Sequence, residues 1–358
     1  MADIKKLENE LQEAANNLRT NSKLTSQQHC MPVLGLIFLR YAWGRPEFLV
    51  YYLASPLMQS CMLQFANGKG ASKNALTKEM TATFEVLRPP LEIQDAIVDV
   101  LYAYDNLIEN NRKQIKLLEE ATQRLYREWF IDLNFPGHED VEIVDDVPEG
   151  WQERSLGKCI DEEIGGGWGQ ESSSSEFSEI GYVIRATDMA DIEGRTIESV
   201  PLRWHKASNI SPRTLEAGDL IFEVSDGSRE HGVGRSMLVT QEELDAFERP
   251  VICASFCKRI RSKAGLSLLL AECLSYEYNT KGLHRFEKRS TGNIINYHWK
   301  TFLDEYAVLI PDEQTLAIFE QQVGLMHKEK SYAAQAMHLA GEACDRLLPK
   351  LMSGEIEA

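Results

Sequence analysis

No apolar run in this chain approaches the roughly 20 residues that span a bilayer, and its start, MADIKKLENELQ, has the charged pattern of a helix rather than of a leader. A cytoplasmic location without a membrane partner is the expectation. Cysteine is sparse: seven residues scattered from Cys30 to Cys344 do not make a disulfide framework in 358 residues. Only Cys253 and Cys257 are neighbours, and no second Cys or His pair stands at ligand spacing, so no metal site is expected. Catalytic signatures are missing as well. There is no Gly-x-Ser-x-Gly, no His-Glu-x-x-His, no Walker motif and no Asn-Pro-Pro-aromatic tetrad of the kind that holds a flipped adenine. The nearest string to that tetrad, Arg88-Pro89-Pro90-Leu91, has neither the amide nor the aromatic and is better suited to starting a helix. IGGGWGQESSSS, around Trp168, lacks the Lys-Ser/Thr ending of a phosphate-binding loop. Carboxylates are plentiful but form no acid-base pattern, so no catalytic residue is nominated. Positive charge is scarce overall, with 38 Lys plus Arg against 55 Asp plus Glu and a net charge of -17. Taken whole, that balance argues against phosphate neutralisation.

What is present is an ordinary globular composition, 43% hydrophobic and 26% charged, at a length that suggests two or three domains and excludes wholesale disorder. Ile4, Leu7, Leu11, Ala14, Ala15 and Leu18 follow helical spacing, and Val33 to Tyr41 reads as a second, buried helix. After Pro89 and Pro90, apolar residues recur at Ile97, Leu101, Tyr104, Ile108, Ile115, Leu118, Leu125 and Trp129, with Asn111 and Thr122 filling the seam. Alternating steps of four and three predict a coiled-coil helix from about Leu91 to Phe130. The C-terminal series Leu316, Phe319, Val323, Met326, Lys330, Ala333, Met337, Ala340, Cys344, Leu347 and Leu351 repeats the alternation with one charged seam residue. These two helices are expected to pair antiparallel as a spacer, provided that the ends of the segment between them lie close together. That segment follows the acidic linker EDVEIVDDVPEG. Its short runs, such as GYVIRA, GDLIFEVS and PVICASFCKRI, between Gly, Ser, Asp and Pro clusters predict short strands.

Charge is not spread evenly. Residues 1–248 carry -18, residues 249–300 carry ten basic against three acidic residues, or +7, and residues 301–358 carry -6. The basic window interleaves Arg259, Arg261, Lys281, Arg285, Lys288 and Arg289 with Tyr276, Tyr278, Phe286, Tyr297 and Trp299, and includes the polar run Ser290, Thr291, Gly292, Asn293. Such a mixture suits phosphate contacts beside base-edge contacts. A solvated face over core aromatics is the competing reading. His284 and His298 lie in the same window, with a surface or structural role the simpler expectation.

RPPLEIQDAIVDVLYAYDNLIENNRKQIKLLEEATQRLYREWFIDLNFPG, followed by VPEGWQERSLGKCI, resembles the central conserved region of the specificity subunit of type I restriction-modification systems. The ending LLPKLMSGEIEA resembles that family's distal conserved helix, and GYVIRATDM, AGDLIFEVSDG and STGNIINYHW sit where its recognition domain has recurrent segments. The resemblance covers about residues 48 to 358. It implies an α+β fold: a mixed or mostly β target-recognition domain flanked by long coiled-coil-forming helices. On this basis residues 1–47 are a helical segment similar to the N-terminus of the methylation subunit, and 48–88 are the remnant of a first recognition domain. Residues 89–135 are the central helix, 136–150 the acidic linker, 151–310 a complete recognition domain and 311–358 the distal helix.

The implied function is non-catalytic: reading one half of a bipartite duplex site while docking methylation subunits, and possibly the restriction subunit, in a prokaryotic, DNA-associated complex. Cofactors are expected only in those partners, as S-adenosylmethionine, ATP and Mg, and none in this chain. Arg259, Arg261, Lys281, Arg285, Lys288, Arg289, Ser290, Thr291 and Asn293 are the expected DNA contacts, with Arg185 and Trp168 as weaker ones. One complete recognition domain with both helices also suggests a head-to-tail homodimer. The alternative is an assembly or regulatory protein of the same system that binds its subunits without selective DNA reading. Direct enzymatic action on DNA is disfavoured by the missing motifs.

Overall fold

The computed structural model describes residues 45–67, 89–227, 232–289 and 294–357; the helices read at 3–19 and 33–41 lie outside them. In chain order, α1 (Pro46–Ala54), α2 (Pro56–Asn67) and α3 (Leu91–Tyr126) precede the strands β1 (Ile143–Val144), β2 (Val147–Pro148), β3 (Gln152–Ser155), β4 (Ile160–Gly165) and β5 (Glu179–Ile184). Next come α4 (Met189–Glu193), β6 (Leu202–His205), α5 (Ala207–Ile210), β7 (Asp219–Glu223), β8 (Ser225–Gly227), β9 (Ser236–Leu238) and α6 (Gln241–Leu244). The chain continues through β10 (Val251–Cys253), β11 (Cys257–Ser262), α7 (Ser267–Asn279), β12 (Glu287–Arg289), β13 (Ile295–Tyr297), α8 (Trp299–Glu305), β14 (Ala307–Ile310) and α9 (Glu313–Ser353). Two compact units result: one takes the residues up to Asn110 with Leu339 onward, the other Asn111–His338. The fold is α+β, as the sequence pattern implies.

In the first unit, α1 and α2 bury Phe48, Leu49, Tyr52, Leu53, Met58 and Met62 against Ile97, Val98 and Leu101 of α3 and Leu351 and Met352 of α9. Ser55 breaks the run between α1 and α2: its hydroxyl donates to the Tyr52 carbonyl at 2.6 Å, and Pro56 starts the new helix. Pro89 and Pro90 likewise precede α3, whose first turn is tied by Gln94 Nε2 donating to the Pro89 carbonyl at 2.9 Å. Inside this core the Tyr51 hydroxyl donates to Asp105 Oδ2 at 2.5 Å.

The second unit holds the strand-rich domain. Its sheets run β10-β5-β6, β4-β11-β7-β9, β12-β13-β8 and β14-β3, and β1-β2 forms a hairpin turned by Asp145 and Asp146, both with positive φ. β3 and β14, the first and last strands of the segment 151–310, pair antiparallel with Gln152 opposite Ile310 and Ser155 opposite Ala307. The ends of the inserted segment therefore lie side by side, which is the condition for the flanking helices to pair. They do so antiparallel: the Lys330 ammonium lies 2.9 Å from Glu119, while Trp129 packs on Phe319 with ring centroids 5.6 Å apart. The seam prediction extends through Trp129 because the chain passes from α3 into a π-turn, Arg127–Ile131, that keeps Trp129 and Phe130 buried. There Phe130 meets both Trp151 and Phe319, at 5.5 Å and 4.9 Å, and Phe135 closes the other side of Trp151 at 4.5 Å. α9 starts on a cap in which Asp312 Oδ1 accepts from the Gln314 and Thr315 amides, each at 3.0 Å. Burial pushes the Asp312 carboxyl up, but the Thr315 hydroxyl and those amides outweigh it and leave it below the ordinary range.

Candidate nucleic-acid interface

Strand β7 is buried along its whole length and carries a carboxylate at each end, which fixes what its neighbours must supply. Asp219, 1% exposed, accepts two hydrogen bonds from Arg261, at 2.8 Å and 3.1 Å. Glu223, 2% exposed, is clamped in the same way by Arg235, at 2.7 Å and 3.0 Å. A buried carboxylate is tolerable only when paired, so these arginines are committed to the fold. Arg259 sits on the same face of β11 as Arg261, is 3% exposed, lies 2.7 Å from Glu162 and donates to the Thr214 carbonyl at 3.2 Å. The sequence pattern puts Arg259 and Arg261 at the DNA surface. In the structure Arg259 is buried and Arg261, though partly exposed, is held by Asp219: β11 turns its odd-numbered cations onto acidic residues of β4 and β7. Arg185 is likewise occupied, bridging Asp188 at 2.6 Å and the Ser199 carbonyl at 2.9 Å in a helix cap. The aromatics of the basic window divide too, with Phe286 and Tyr297 in the core, where burial raises the Tyr297 hydroxyl.

The remaining cations are exposed. Lys281, in the left-handed region at φ +63°, and Arg285, Lys288 and Arg289 all face solvent. Arg285 lies over the rings of Phe286 and Tyr306, at 4.9 Å and 5.8 Å, which holds its guanidinium in place without consuming its charge. Strands β12 and β13 bring Lys288 opposite Asn296, and β8 brings Ser225 opposite Asn296 on the other side, where the Ser225 hydroxyl donates to Asn296 Oδ1. Lys288, Asn296, His298, Trp299, Lys300 and Thr301 line an open concavity on this sheet. Its rim is continued by Lys258, whose ammonium lies 4.7 Å from the Trp299 ring and 2.7 Å from Glu163. An amide, an exposed imidazole, two lysines and an aromatic wall supply both phosphate partners and groups that discriminate base edges.

Ser290, Thr291 and Asn293 lie outside the described residues, but Arg289 and Ile295, which flank them, are cross-strand partners, with Gly227 beside Ile295. Trp168 is 40% exposed and stacks under Arg203 at 4.8 Å, well separated in sequence from the basic window. Sequence reasoning did not nominate Asn296, Lys300 or Arg203 as contacts, although Lys300 is one of the ten basic residues of the window. Asn296 stands between buried Ile295 and Tyr297 in INYHWK, and that alternation was the available signal; Lys300 lies beyond the strand, in α8. Among the described residues no group of His, Cys, Asp and Glu is placed to hold a metal ion, and no helix is long and apolar enough to cross a membrane.

A family model for the type I restriction modification DNA specificity domain matches residues 22–120. The match takes in the 48–88 segment and begins inside 1–47. The type I restriction enzyme MjaIX specificity subunit of Methanocaldococcus jannaschii is 31% identical over 319 residues, covering 87% of this chain and 69% of its own length. The chain belongs to the type I restriction enzyme specificity subunits. Shorter matches within the family include the MjaVIII specificity subunit of the same organism, 26% identical over 44% of this chain and 36% of the relative. The HindI specificity subunit of Haemophilus influenzae is 27% identical over 25% and 19%. Among solved structures, the type I S subunit from M. genitalium covers 86% of this chain and 72% of its own, at 14% identity and a TM-score of 0.49. Specificity subunits are the DNA-recognition components of type I restriction-modification systems, and that is the class of function this chain carries.

Proposed function

We propose that this specificity subunit reads one half of a bipartite duplex site through residues 151–310 and is not itself catalytic. The observation that carries this reading is the concavity on the β12-β13-β8 sheet. There the exposed Lys288 and Lys300 flank Asn296 and His298, whereas Arg259 and Arg261 of β11 are spent on the domain's own carboxylates. Lys281, Arg285 and Arg289 extend the phosphate-facing rim. Trp168 forms a second, smaller contact. Residues 48–88 belong to a first recognition domain. The paired helices α3 and α9 dock methylation subunits and set the distance to a second half-site. A head-to-tail homodimer supplies that second half-site, and S-adenosylmethionine, ATP and Mg belong to the partner chains.

Selection of bound duplexes from a random library, with and without a methylation subunit, tests the reading directly. A split or half-site consensus is the expected result; enrichment of no sequence in either arm would leave an assembly role without selective reading. Replacing Arg285, Lys288 and Arg289 together by Ala is expected to weaken duplex binding and reduce the slope of its salt dependence by up to about 2.7, or about 0.9 for each phosphate that is no longer neutralised. A strict monomer by sedimentation, alone and on DNA, would remove the homodimer.

A further inference from the structure

The loop between β4 and β5 is pinned at two glycines. A Cβ on Gly166 would stand 2.1 Å from the Ala254 carbonyl oxygen, and one on Gly169, at φ +71°, would stand 2.6 Å from that of Trp204. Only glycine permits these approaches. Trp168, held between them, offers its ring to Arg203 of β6, whose guanidinium lies 4.8 Å from the ring centroid. Arg203 is itself mostly covered, with its side chain 17% exposed and its Nε hydrogen without an acceptor. Its only ion partner among the described residues is Glu171, 2.9 Å from Nη1 and 86% exposed. The same loop repeats the arrangement one step on: Glu176 sits on Lys206, which draws the Glu176 carboxyl below its ordinary range and lies 5.2 Å from the Phe177 ring. Two exposed carboxylates of one loop thus occupy two cations of the strand and turn beneath it.

A guanidinium stacked on an aromatic face is fixed in plane, its donors form a fork, and a fork suits a phosphodiester as well as a carboxylate. The acceptor now present is the one that is easiest to displace. An ion pair with an almost fully hydrated carboxylate is worth little, whereas Arg203 keeps its position through Trp168 whether or not Glu171 is there. The loop leaves the sheet at Gly165, the register partner of Lys258 on β11. We propose that Arg203, stacked on Trp168, takes a backbone phosphate of duplex DNA in exchange for the Glu171 carboxylate. The proposal rests on the DNA-reading function and adds to it a phosphate site with a built-in acidic placeholder.

The test is an anisotropy titration of the full chain with its selected duplex, across a salt series, for the unaltered protein, Glu171→Gln, Arg203→Met and the double variant. Glu171→Gln, at an exposed position, is expected to tighten binding about threefold, the scale of an exposed ion pair. Arg203→Met is expected to weaken binding about tenfold and to lower the salt slope by about 0.9. In the double variant the gain from Glu171→Gln should vanish, because nothing remains for the phosphate to replace. An equal gain with and without Arg203 would make Glu171 a distant repulsive charge and overturn the exchange. An unchanged affinity and slope in Arg203→Met, with thermal unfolding intact, would do the same. If the unaltered chain binds no duplex, the DNA-reading function falls together with this site; normal binding without the coupling removes the site alone.

Discussion

Lys330 occupies a seam position of α9, where an apolar residue is the norm, and its side chain is 17% exposed. Its ammonium lies between Glu119 of α3, at 2.9 Å, and Glu193 of α4, at 3.3 Å, which are 49% and 34% exposed. The three charges are unequally buried, so removing them should have unequal costs. Lys330→Met leaves two carboxylates that water already reaches, and puts an apolar side chain of similar length into the seam. The expected change is within about 1 kcal/mol of zero. Glu119→Gln with Glu193→Gln leaves a covered cation without counter-charge, and is expected to cost about 2 to 3 kcal/mol. At about 2 to 4 °C per kcal/mol for a unit of this size, the double variant should melt about 4 to 12 °C lower, while Lys330→Met stays within about 4 °C of the parent. Burial alone would lower the Lys330 pKa, but Glu193 and Glu119 outweigh it and raise it. The stabilisation is therefore complete below the unfolded lysine value of about 10.4 and is lost as pH rises through the folded one. In the double variant burial acts unopposed and holds the folded value below the unfolded one, so stability should instead rise as pH climbs through it. Thermal denaturation followed by circular dichroism from pH 7 to 11 measures both effects. A Lys330→Met variant that melts as low as the carboxylate pair would refute the reasoning.

Asp219→Asn should cost about 2 kcal/mol, because Arg261 loses the buried one of its carboxylate partners and keeps only the more exposed Glu216 and Glu162; a denaturant midpoint unchanged from the parent would show that the pair is not needed. Phe319→Ala removes a ring on which two aromatic neighbours pack, and is expected to cost about 3 to 5 kcal/mol by chemical denaturation. Burial raises the Asp105 carboxyl beside Tyr51, with the Tyr51 hydrogen bond opposing it, so the group destabilises the fold above its folded pKa. Asp105→Asn should accordingly raise the melting temperature at pH 7, with the gain fading as pH falls through that pKa; a gain constant down to pH 4 would contradict the assignment.

The helices were legible because a four-three alternation over forty residues has few other uses, and the polar seam residues Asn111 and Thr122 did not interrupt it. Both are buried. The candidate site was legible only in part, because a window sum counts charges without saying which face they take. Lys258 and Arg259 are adjacent in sequence, yet one reaches the rim at Trp299 and the other disappears between Glu162 and Thr214. That separation follows from the register of β11 against β4 and β7, and the carboxylates responsible stand about forty and one hundred residues away. Arg203 was invisible for a related reason: the aromatic that fixes it is thirty-five residues away, across a loop whose glycines are informative only once their neighbours are known.

The pairing of β3 with β14 has a consequence for what can be changed. Since the domain leaves and re-enters the helical frame through two adjacent strands, the length and content of the chain between them place no strain on that frame. Residues 156–306 can vary in length and content away from the helices without moving the points of entry and exit, while the residues that seat the domain on α3 and α9, such as Glu193 on Lys330 and Glu272 on Gln123 and His327, have to be kept. The molecule therefore behaves as a socket with a seated head, in which the surface that chooses the ligand can change while the seat stays the same.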